Sequence, residues 1–300
     1  MIERIYIPTI RRPKLQVTYE HLPAELQKRA IMVIDGSERH LYEYDCDYLE
    51  LPESIIGEYT QLALTRKYIH EHASKDKIKY AMLDDDIEIT KRNAKYFNKP
   101  ADMETSARTA TDDDLLELYS MASEALDVEH MGVVGPAYGV SAPPKDGKTY
   151  HDSTRVFNYL FLDGKKIAGI IDQIDTSVRV AEDCMFLFCA LTNGINSRML
   201  LEYSYKNYSE GKSYDNIRPV WQGLYENDTI PADYFTSIEH YNALVKVGNK
   251  YPFITFKEKN GQVVNRKHWK KAYEYGRTKA DVASTQSYLQ KLKSGDKCST

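Results

Sequence analysis

Short apolar runs, each ended by a turn or an acid, alternate along this chain with stretches whose apolar positions recur at helical spacing. Ile2 to Ile7 alternates as a first strand, and Pro8-Thr9-Ile10-Arg11-Arg12-Pro13 follows as a basic loop. Leu15 to Leu26 is predicted helical. Ala30 to Ile34 reads as a second, buried strand ended by Asp35-Gly36-Ser37. Glu58 to Ala73 carries apolar residues at Leu62, Leu64, Ile69 and Ala73 beside a polar face, which predicts a helix. Lys79 to Leu83 is a third buried strand. This strand–helix–strand order predicts an α/β fold built on a mostly parallel, doubly wound sheet.

Further on, Asn98 to Thr111 is polar and predicts a loop, and Asp114 to Leu126 predicts a helix. Met131 to Pro136 is a short strand with a sharp stop. Ser141 to Asp152 is rich in Pro, Gly and Lys, as a surface loop would be. Val156 to Leu162 and Lys166 to Ile174 are β-like, and Glu182 to Thr192 is a helix stopped near Asn193-Gly194. Tyr203 to Ile230 is aromatic and polar and shows no clear period. Phe253 to Phe256 and Gln262 to Val264 flank Lys259-Asn260-Gly261, a hairpin pattern. The tail from Thr278 is polar with helical character. No internal repeat is visible. The expected organisation is a catalytic domain over 1–200 and a C-terminal extension over 201–300 on the acceptor side.

The pattern directs attention to Ala81-Met82-Leu83-Asp84-Asp85-Asp86-Ile87, where a buried strand ends in three carboxylates. Side chains alternate along a strand, so Asp84 and Asp86 share one side and Asp85 takes the other. Clustered carboxylates repel one another and need a cation. A hard divalent ion such as Mn²⁺ or Mg²⁺ suits them, held by one or two carboxylates and a substrate's phosphates. Acids also cap helices, and Thr111-Asp112-Asp113-Asp114-Leu115 supplies that contrast. There they follow a polar stretch and open a helical pattern, as an N-cap and dipole-complementing charges do. Arg179-Val180-Ala181-Glu182-Asp183-Cys184 admits both readings. Glu182 and Asp183 complement a helix dipole, or one of them accepts a proton as a general base.

Composition adds bounds. The chain has 300 residues, 42% hydrophobic and 28% charged, which is ample for a sizeable core. No stretch is long and apolar enough for a membrane span, and the N-terminus lacks a signal-peptide core, so a soluble cytoplasmic protein is expected. Cys46, Cys184, Cys189 and Cys298 show no zinc or CxxC spacing. The net charge of −4 excludes a global polyanion binder, although Asn265-Arg266-Lys267-His268-Trp269-Lys270-Lys271 is a local basic stretch.

Taken in order, strand–Pro-Thr, strand–Asp-Gly-Ser, a helix with Arg66, Leu-Asp-Asp-Asp, and Glu-Asp before an apolar helix resemble the GT-A glycosyltransferases, family-2-like, over about residues 1–195. The resemblance implies a Rossmann-like nucleotide-sugar-binding sandwich. It implies that Pro8, Thr9 and Arg11 contact the nucleotide, that Asp35 reads the base or ribose, and that Arg66 lies near the nucleotide. It places Asp84 on the ribose or sugar and on the metal, Asp85 with the nucleotide-binding set, and Asp86 on the metal that bridges the diphosphate. Asp183 would be the catalytic base, with Glu182 second. His268, beside Trp269 in the basic stretch, is a further candidate for the metal, for the diphosphate or for a polyanionic acceptor. The implied donor is a nucleotide-diphosphate sugar, UDP-linked by preference, and the acceptor is left open. Ile5-Tyr6-Ile7-Pro8-Thr9 and Leu83-Asp84-Asp85-Asp86 also resemble phage-type enzymes that glycosylate hydroxymethylated DNA bases, so nucleic acid is within the acceptor range. Many relatives have a second acid before Gly36 and Ala-Arg-Asn in place of Thr65-Arg66-Lys67. The QxxRW-type motif of processive synthases is absent, which favours single transfers.

Two other functions are weighed. A nucleotidyltransferase making a nucleotide-sugar would want a glycine-rich loop after the first strand, and Ile7 to Lys14 contains no glycine. A non-catalytic nucleotide-sugar-binding protein would not need both acidic sites.

Overall fold

The structure is a computed structural model that describes residues 1–10, 12–56, 62–92, 107–139, 149–178, 180–207, 237–259 and 262–279. Twelve strands are present among them: β1 (Arg4–Pro8), β2 (Ala30–Asp35), β3 (Asp47–Leu51), β4 (Lys79–Leu83), β5 (Ile87–Arg92), β6 (Ala107–Thr109), β7 (Met131–Tyr138), β8 (Tyr150–Asp152), β9 (Tyr159–Asp163), β10 (Asn196–Asn207), β11 (Ile254–Lys259) and β12 (Gln262–Lys267). The main helices are α1 (Leu62–Lys75), α2 (Asp112–Asp127), α3 (Glu182–Thr192) and α4 (Ser237–Lys250), with α5 over 269–279.

Ten strands form one sheet in the order β3-β2-β1-β4-β9-β7-β10-β5-β6, with β8 also on β10. β1 pairs in parallel with β2 and β4, β2 with β3, and β7 with β10. β9 runs antiparallel between β4 and β7. β5 is antiparallel to β10 and to β6, and β8 is antiparallel to β10. The fold is therefore mixed α/β, a large sheet flanked by helices and parallel through β3-β2-β1-β4 and β7-β10.

Alternation along the strands sorts their side chains onto two faces. Tyr6, Ile31, Val33, Tyr80, Met82 and Leu160 pack with α1, α3 and α4 on one face. Ile5, Ile7, Met32, Ala81, Leu83 and Phe161 pack with α2 on the other. Strands buried on both faces read as continuous apolar runs, as β1, β2 and β4 do. α3 is buried all round from Cys184 to Thr192, so its sequence shows no polar face.

Several expectations are corrected. Leu15 to Leu26 is not one helix but two single turns, Val17–Glu20 and Ala24–Gln27, because Pro23 breaks the run between them. Lys166 to Ile174 is not a strand. Asp163 accepts from Lys165 N and Lys166 N, capping a helical turn Gly164–Ile167 that continues as 3₁₀ helix over Ala168–Gln173. β3, β5, β6, β8, β10, α4 and α5 were not expected, and β6 and β8 are strands at the C-terminal ends of the two predicted loops, paired with β5 and β10. The hairpin is present as β11 and β12, its Asn260-Gly261 turn lying outside the described residues. Most of the two predicted loops, much of Tyr203 to Ile230, and the tail beyond Lys279 also lie outside them.

The acid triplet after Thr111 is structural. Thr111 caps α2, its hydroxyl accepting from Asp114 N, while Asp114 accepts from Thr111 N, a reciprocal capping box. Arg108 and Lys91 also pair with Asp114 and hold its carboxyl well below the usual range.

Candidate active site

β1 lies between β2 and β4, so the chain winds to one side for β2 and β3 and returns to the other for β4. The crevice beyond the carboxyl ends of such strands is where open α/β sheets bind ligands. Thr9 and Arg12 follow β1 at this edge, and Asp84, Asp85 and Asp86 follow β4.

Asp85 turns back into the protein and ties the two loops together. Thr9 Oγ1 donates to Asp85 Oδ2 at 2.7 Å, and Arg12 Nη1 donates to Asp85 Oδ1 at 2.7 Å. Gln16 Nε2 donates to Thr9 Oγ1 and to the Arg12 carbonyl, each at 2.8 Å. Thr18 Oγ1 donates to the Asp84 carbonyl at 2.5 Å and accepts from Ile87 N at 2.8 Å. Asp85 is thus a buried anchor that fixes the positions of its two neighbours.

Asp84 meets the opening of α3 through Arg66, which projects from α1. Arg66 Nη2 donates to Asp84 Oδ1 at 2.8 Å, and its Nη1 lies 3.5 Å from Glu182 Oε1. The guanidinium is buried, and its Nε and Nη1 make no hydrogen bond among the described residues. Burial works against its charge, but Asp84, Glu182 and Asp183 outweigh that and raise its pKa. Burial pushes Asp84 up against the opposing pull of Arg66. Burial likewise pushes Glu182 up to about 7, Arg66 opposing and Asp183 adding to the shift. Asp183 Oδ1 accepts from Cys184 N at 2.6 Å. Ala181, just before the pair, has the left-handed φ of 61°, a conformation that non-glycine residues adopt at a cost of about 1–2 kcal/mol and that often marks functional sites.

A small cleft beside these groups is lined by Arg66, Lys67, His70, Glu182, Asp183 and Phe186. His70 stacks on Phe186 with ring centroids 4.5 Å apart, and its Nδ1 is 2.6 Å from the Tyr80 hydroxyl. Burial, assisted by the Arg66 charge, lowers its pKa to about 3, so the imidazole is neutral.

Asp86 sits at the other end of the acid turn. Asn207 Nδ2 donates to its Oδ1 at 3.2 Å, and Arg12 Nη1 is 3.8 Å from its Oδ2. Burial and the neighbouring Asp85 raise its carboxyl to about 6, with Arg12 opposing. Asp84 and Asp86 are the carboxylates at this edge that could take part in holding a hard divalent ion, which needs only one or two of them beside phosphate oxygens. Among the described residues, no three His, Cys, Asp or Glu side chains form a complete metal cage.

No family model matches the chain, and no curated protein matches it. Among solved structures it is similar to TarS 1–349 of S. aureus, at 14% identity over 84% of this chain and 74% of that one, TM-score 0.37. It is similar to the same TarS fragment in complex with UDP, at 10% identity over 89% and 96%, TM-score 0.38. It is also similar to the apo-form glycosyltransferase GlyE of Streptococcus pneumoniae TIGR4, at 12% identity over 84% and 63%, TM-score 0.34. Overlaps of this size assign no function, which has to be argued from the site.

The residues singled out in the sequence separate into groups. Asp84, Glu182, Asp183 and Arg66 come together, with Asp86 and Asp85 on the adjoining turn. Pro8 ends β1 and Thr9 is buried behind the acid turn. Asp35 ends β2 and caps the following 3₁₀ helix, accepting from Ser37 N at 2.8 Å. His268 lies after β12, its Nε2 3.1 Å from Thr255 Oγ1. Arg11 lies outside the described residues. Arg12, Gln16, His70 and Asn207 were not singled out, yet they position or line the site. His70 had a legible signal, falling one helical turn after Arg66 on the same face of α1. No helix among the described residues is long and apolar enough to cross a membrane.

Proposed function

We propose that the protein is a divalent-metal-dependent glycosyltransferase that moves a sugar from a nucleotide-diphosphate donor, UDP-linked by preference, to an acceptor hydroxyl with inversion. The observation that carries this reading is the meeting of the acid turn after β4 and the acid pair opening α3 around one buried guanidinium, Arg66. A diphosphate-binding ion and a general base are the two things such a transfer needs, and the two acid groups supply candidates for both.

In the proposed reaction, the acceptor oxygen bonds to the anomeric carbon as the bond from that carbon to the diphosphate oxygen breaks. The acceptor proton passes to Asp183, with Glu182 the second choice. Asp183 is preferred because Glu182 is committed to Arg66, whereas Asp183 takes the hydrogen bond from Cys184 N of its own helix on Oδ1. A Mn²⁺ or Mg²⁺ ion held by Asp86 and Asp84 would stabilise the charge on the departing diphosphate. Arg66 holds Asp84 in place and faces Glu182 through Nη1, and its charge would also attract the donor's phosphate oxygens. The β1 loop and Asp35 supply the nucleotide side, and residues beyond 200 the acceptor side.

Thermal unfolding with UDP, GDP, CDP and dTDP, each with and without Mn²⁺, tests the reading. A metal-dependent rise in Tm with one nucleotide, abolished in Asp86→Ala, is expected. Stabilisation by none of them would overturn it.

A further inference from the structure

The C-terminal hairpin carries a basic face that the proposed donor site does not use. In the β11–β12 register, Thr255 pairs with Arg266 and Lys257 with Val264. Side chains alternate along each strand, so Thr255, Lys257 and Arg266 share one face. The opposite face holds Ile254, which is buried, and Phe256, whose ring meets Tyr241 at 5.5 Å. The basic face is therefore the outward one, and Thr255, Lys257 and Arg266 are all exposed on it.

His268 closes this face through its contact with Thr255 Oγ1, while its backbone N donates to the Phe253 carbonyl at 2.8 Å. Lys270 and Lys271 follow in the first turn of α5, both exposed. Desolvation, and after it the charges of Lys271, Arg266 and Lys257, lowers the His268 pKa, so the three cations act on the same ring. One helical turn beyond Lys271 stands Tyr275, 54% exposed, its ring 5.7 Å from Phe253. The neighbouring Trp269 turns inward and stacks on Phe188 of α3 at 4.3 Å, which docks the face to the body that carries Glu182 and Asp183. In a chain of net charge −4, this concentration of cations is local.

We propose that this face, Lys257, Arg266 and Lys271 with Tyr275 at its edge, binds single-stranded nucleic acid. Cations spaced along a surface track a phosphodiester backbone, and an exposed aromatic beside them offers a base a stacking partner. The exposed tyrosine favours a strand that carries bases over a base-free polyanion. Calling the bound strand the acceptor rests on the transferase reading; the binding itself does not.

Fluorescence anisotropy with a labelled oligodeoxythymidylate, its duplex and a base-free polyphosphate, each across a salt series, tests this. The wild-type protein should prefer the single strand. The triple variant Lys257→Ala/Arg266→Ala/Lys271→Ala should reduce the slope of log affinity against log salt by about 2, at about 0.7 for each phosphate no longer neutralised. Tyr275→Ala should weaken the oligonucleotide by about fivefold or more and leave polyphosphate unchanged. Equal affinity for polyphosphate, preference for duplex, or an unaltered slope in the triple variant would overturn the inference. Nucleotide-diphosphate stabilisation measured on the same triple variant keeps the two readings apart, since its loss or retention reports on the donor site alone.

Discussion

Arg66 Nη2 lies 2.8 Å from Asp84 Oδ1, so a cation from the first long helix neutralises a carboxylate at the end of the fourth strand. Both groups are largely out of water, with side-chain exposures of 8% and 25%. Removing one partner of such a pair leaves an uncompensated buried charge, which costs about 3–5 kcal/mol. Arg66→Met should lower the unfolding free energy obtained from urea titration by an amount in that range. Adding Asp84→Asn to it should recover part of the loss, because the stranded carboxylate is then gone. A double variant no more stable than the single one would mean that the pair is not coupled.

Asp86 predicts a pH dependence whose sign follows from its raised pKa. The folded protein keeps the proton up to about pH 6, whereas the unfolded chain releases it near the ordinary value of 3.8. Between those values the unfolded state binds fewer protons, so stability falls as pH rises and then levels off. The metal-free protein should therefore lose about 1–3 kcal/mol from this group between pH 4 and pH 6. Mn²⁺ competes with the proton for the same oxygen, so its stabilising effect should grow over that interval. Asp114, with its lowered pKa, contributes stability that is present above the ordinary carboxylate value and lost only below it. Denaturant titrations across the pH series, with and without Mn²⁺, measure both. Stability of the metal-free protein that rises through pH 5 would contradict the assignment for Asp86.

Lys166 gives a prediction away from the site. Its Nζ donates to the carbonyls of Leu126 at 2.6 Å, Val128 at 2.9 Å and Met131 at 2.9 Å, closing the C-terminal end of α2. Hydrogen bonds from a charged donor contribute about 1.5–3 kcal/mol. Lys166→Met should lose an amount in that range while the nucleotide-dependent shift in Tm persists. A Tm within a degree or so of wild type would show that water replaces the ammonium at no cost.

The parts of the fold legible in the sequence are those where local pattern and tertiary fate agree. β4 is legible because an apolar run ends abruptly in acids, and α3 because an unbroken apolar stretch follows an acid pair. Lys166 to Ile174 misleads because its Ile residues fit either a strand or a helix. The choice is made by Asp163, whose carboxylate caps the turn, and by Lys166 reaching across to α2. The helix Ser237–Lys250 has a readable signal at Ala243, Leu244, Val247 and Tyr251, the spacing of one buried face. At the site, the acids stand out and their supports do not. Thr18 acts through contacts to Asp84 and Ile87, 66 and 69 positions away, and Gln16 through Thr9, 7 positions away in a different element, which no local pattern contains.

Gly276 predicts how closely the C-terminal helix must sit. A side chain there would place Cβ 2.2 Å from the Leu191 carbonyl and 2.6 Å from Gly194 N, both backbone atoms at the end of α3. Neither can yield as a flexible side chain would. Gly276→Val should therefore push α5 off α3, separate the Trp269–Phe188 stack and quench or shift the tryptophan emission. It should cost about 1–3 kcal/mol, as overpacking generally does. Unchanged emission and stability would mean that α5 is free to move.

The acid pair at the start of α3 offers the sharpest division of roles. Glu182 is engaged by Arg66 and held near neutrality by burial, while Asp183 is bound by its own helix through one oxygen. If Asp183 takes the acceptor proton, Asp183→Asn keeps the shape and the hydrogen bond to Cys184 N but cannot accept that proton. Transfer should then fall by about 10²–10⁴, with donor binding retained, since general-base catalysis contributes on that order. Glu182→Gln removes a charge that Arg66 faces and should chiefly weaken the positioning of Arg66, seen as a change in donor affinity. Single-turnover kinetics beside donor titrations separate the two effects. If Glu182→Gln abolishes the chemical step and Asp183→Asn spares it, the base is Glu182, and its raised pKa is then the property the reaction uses.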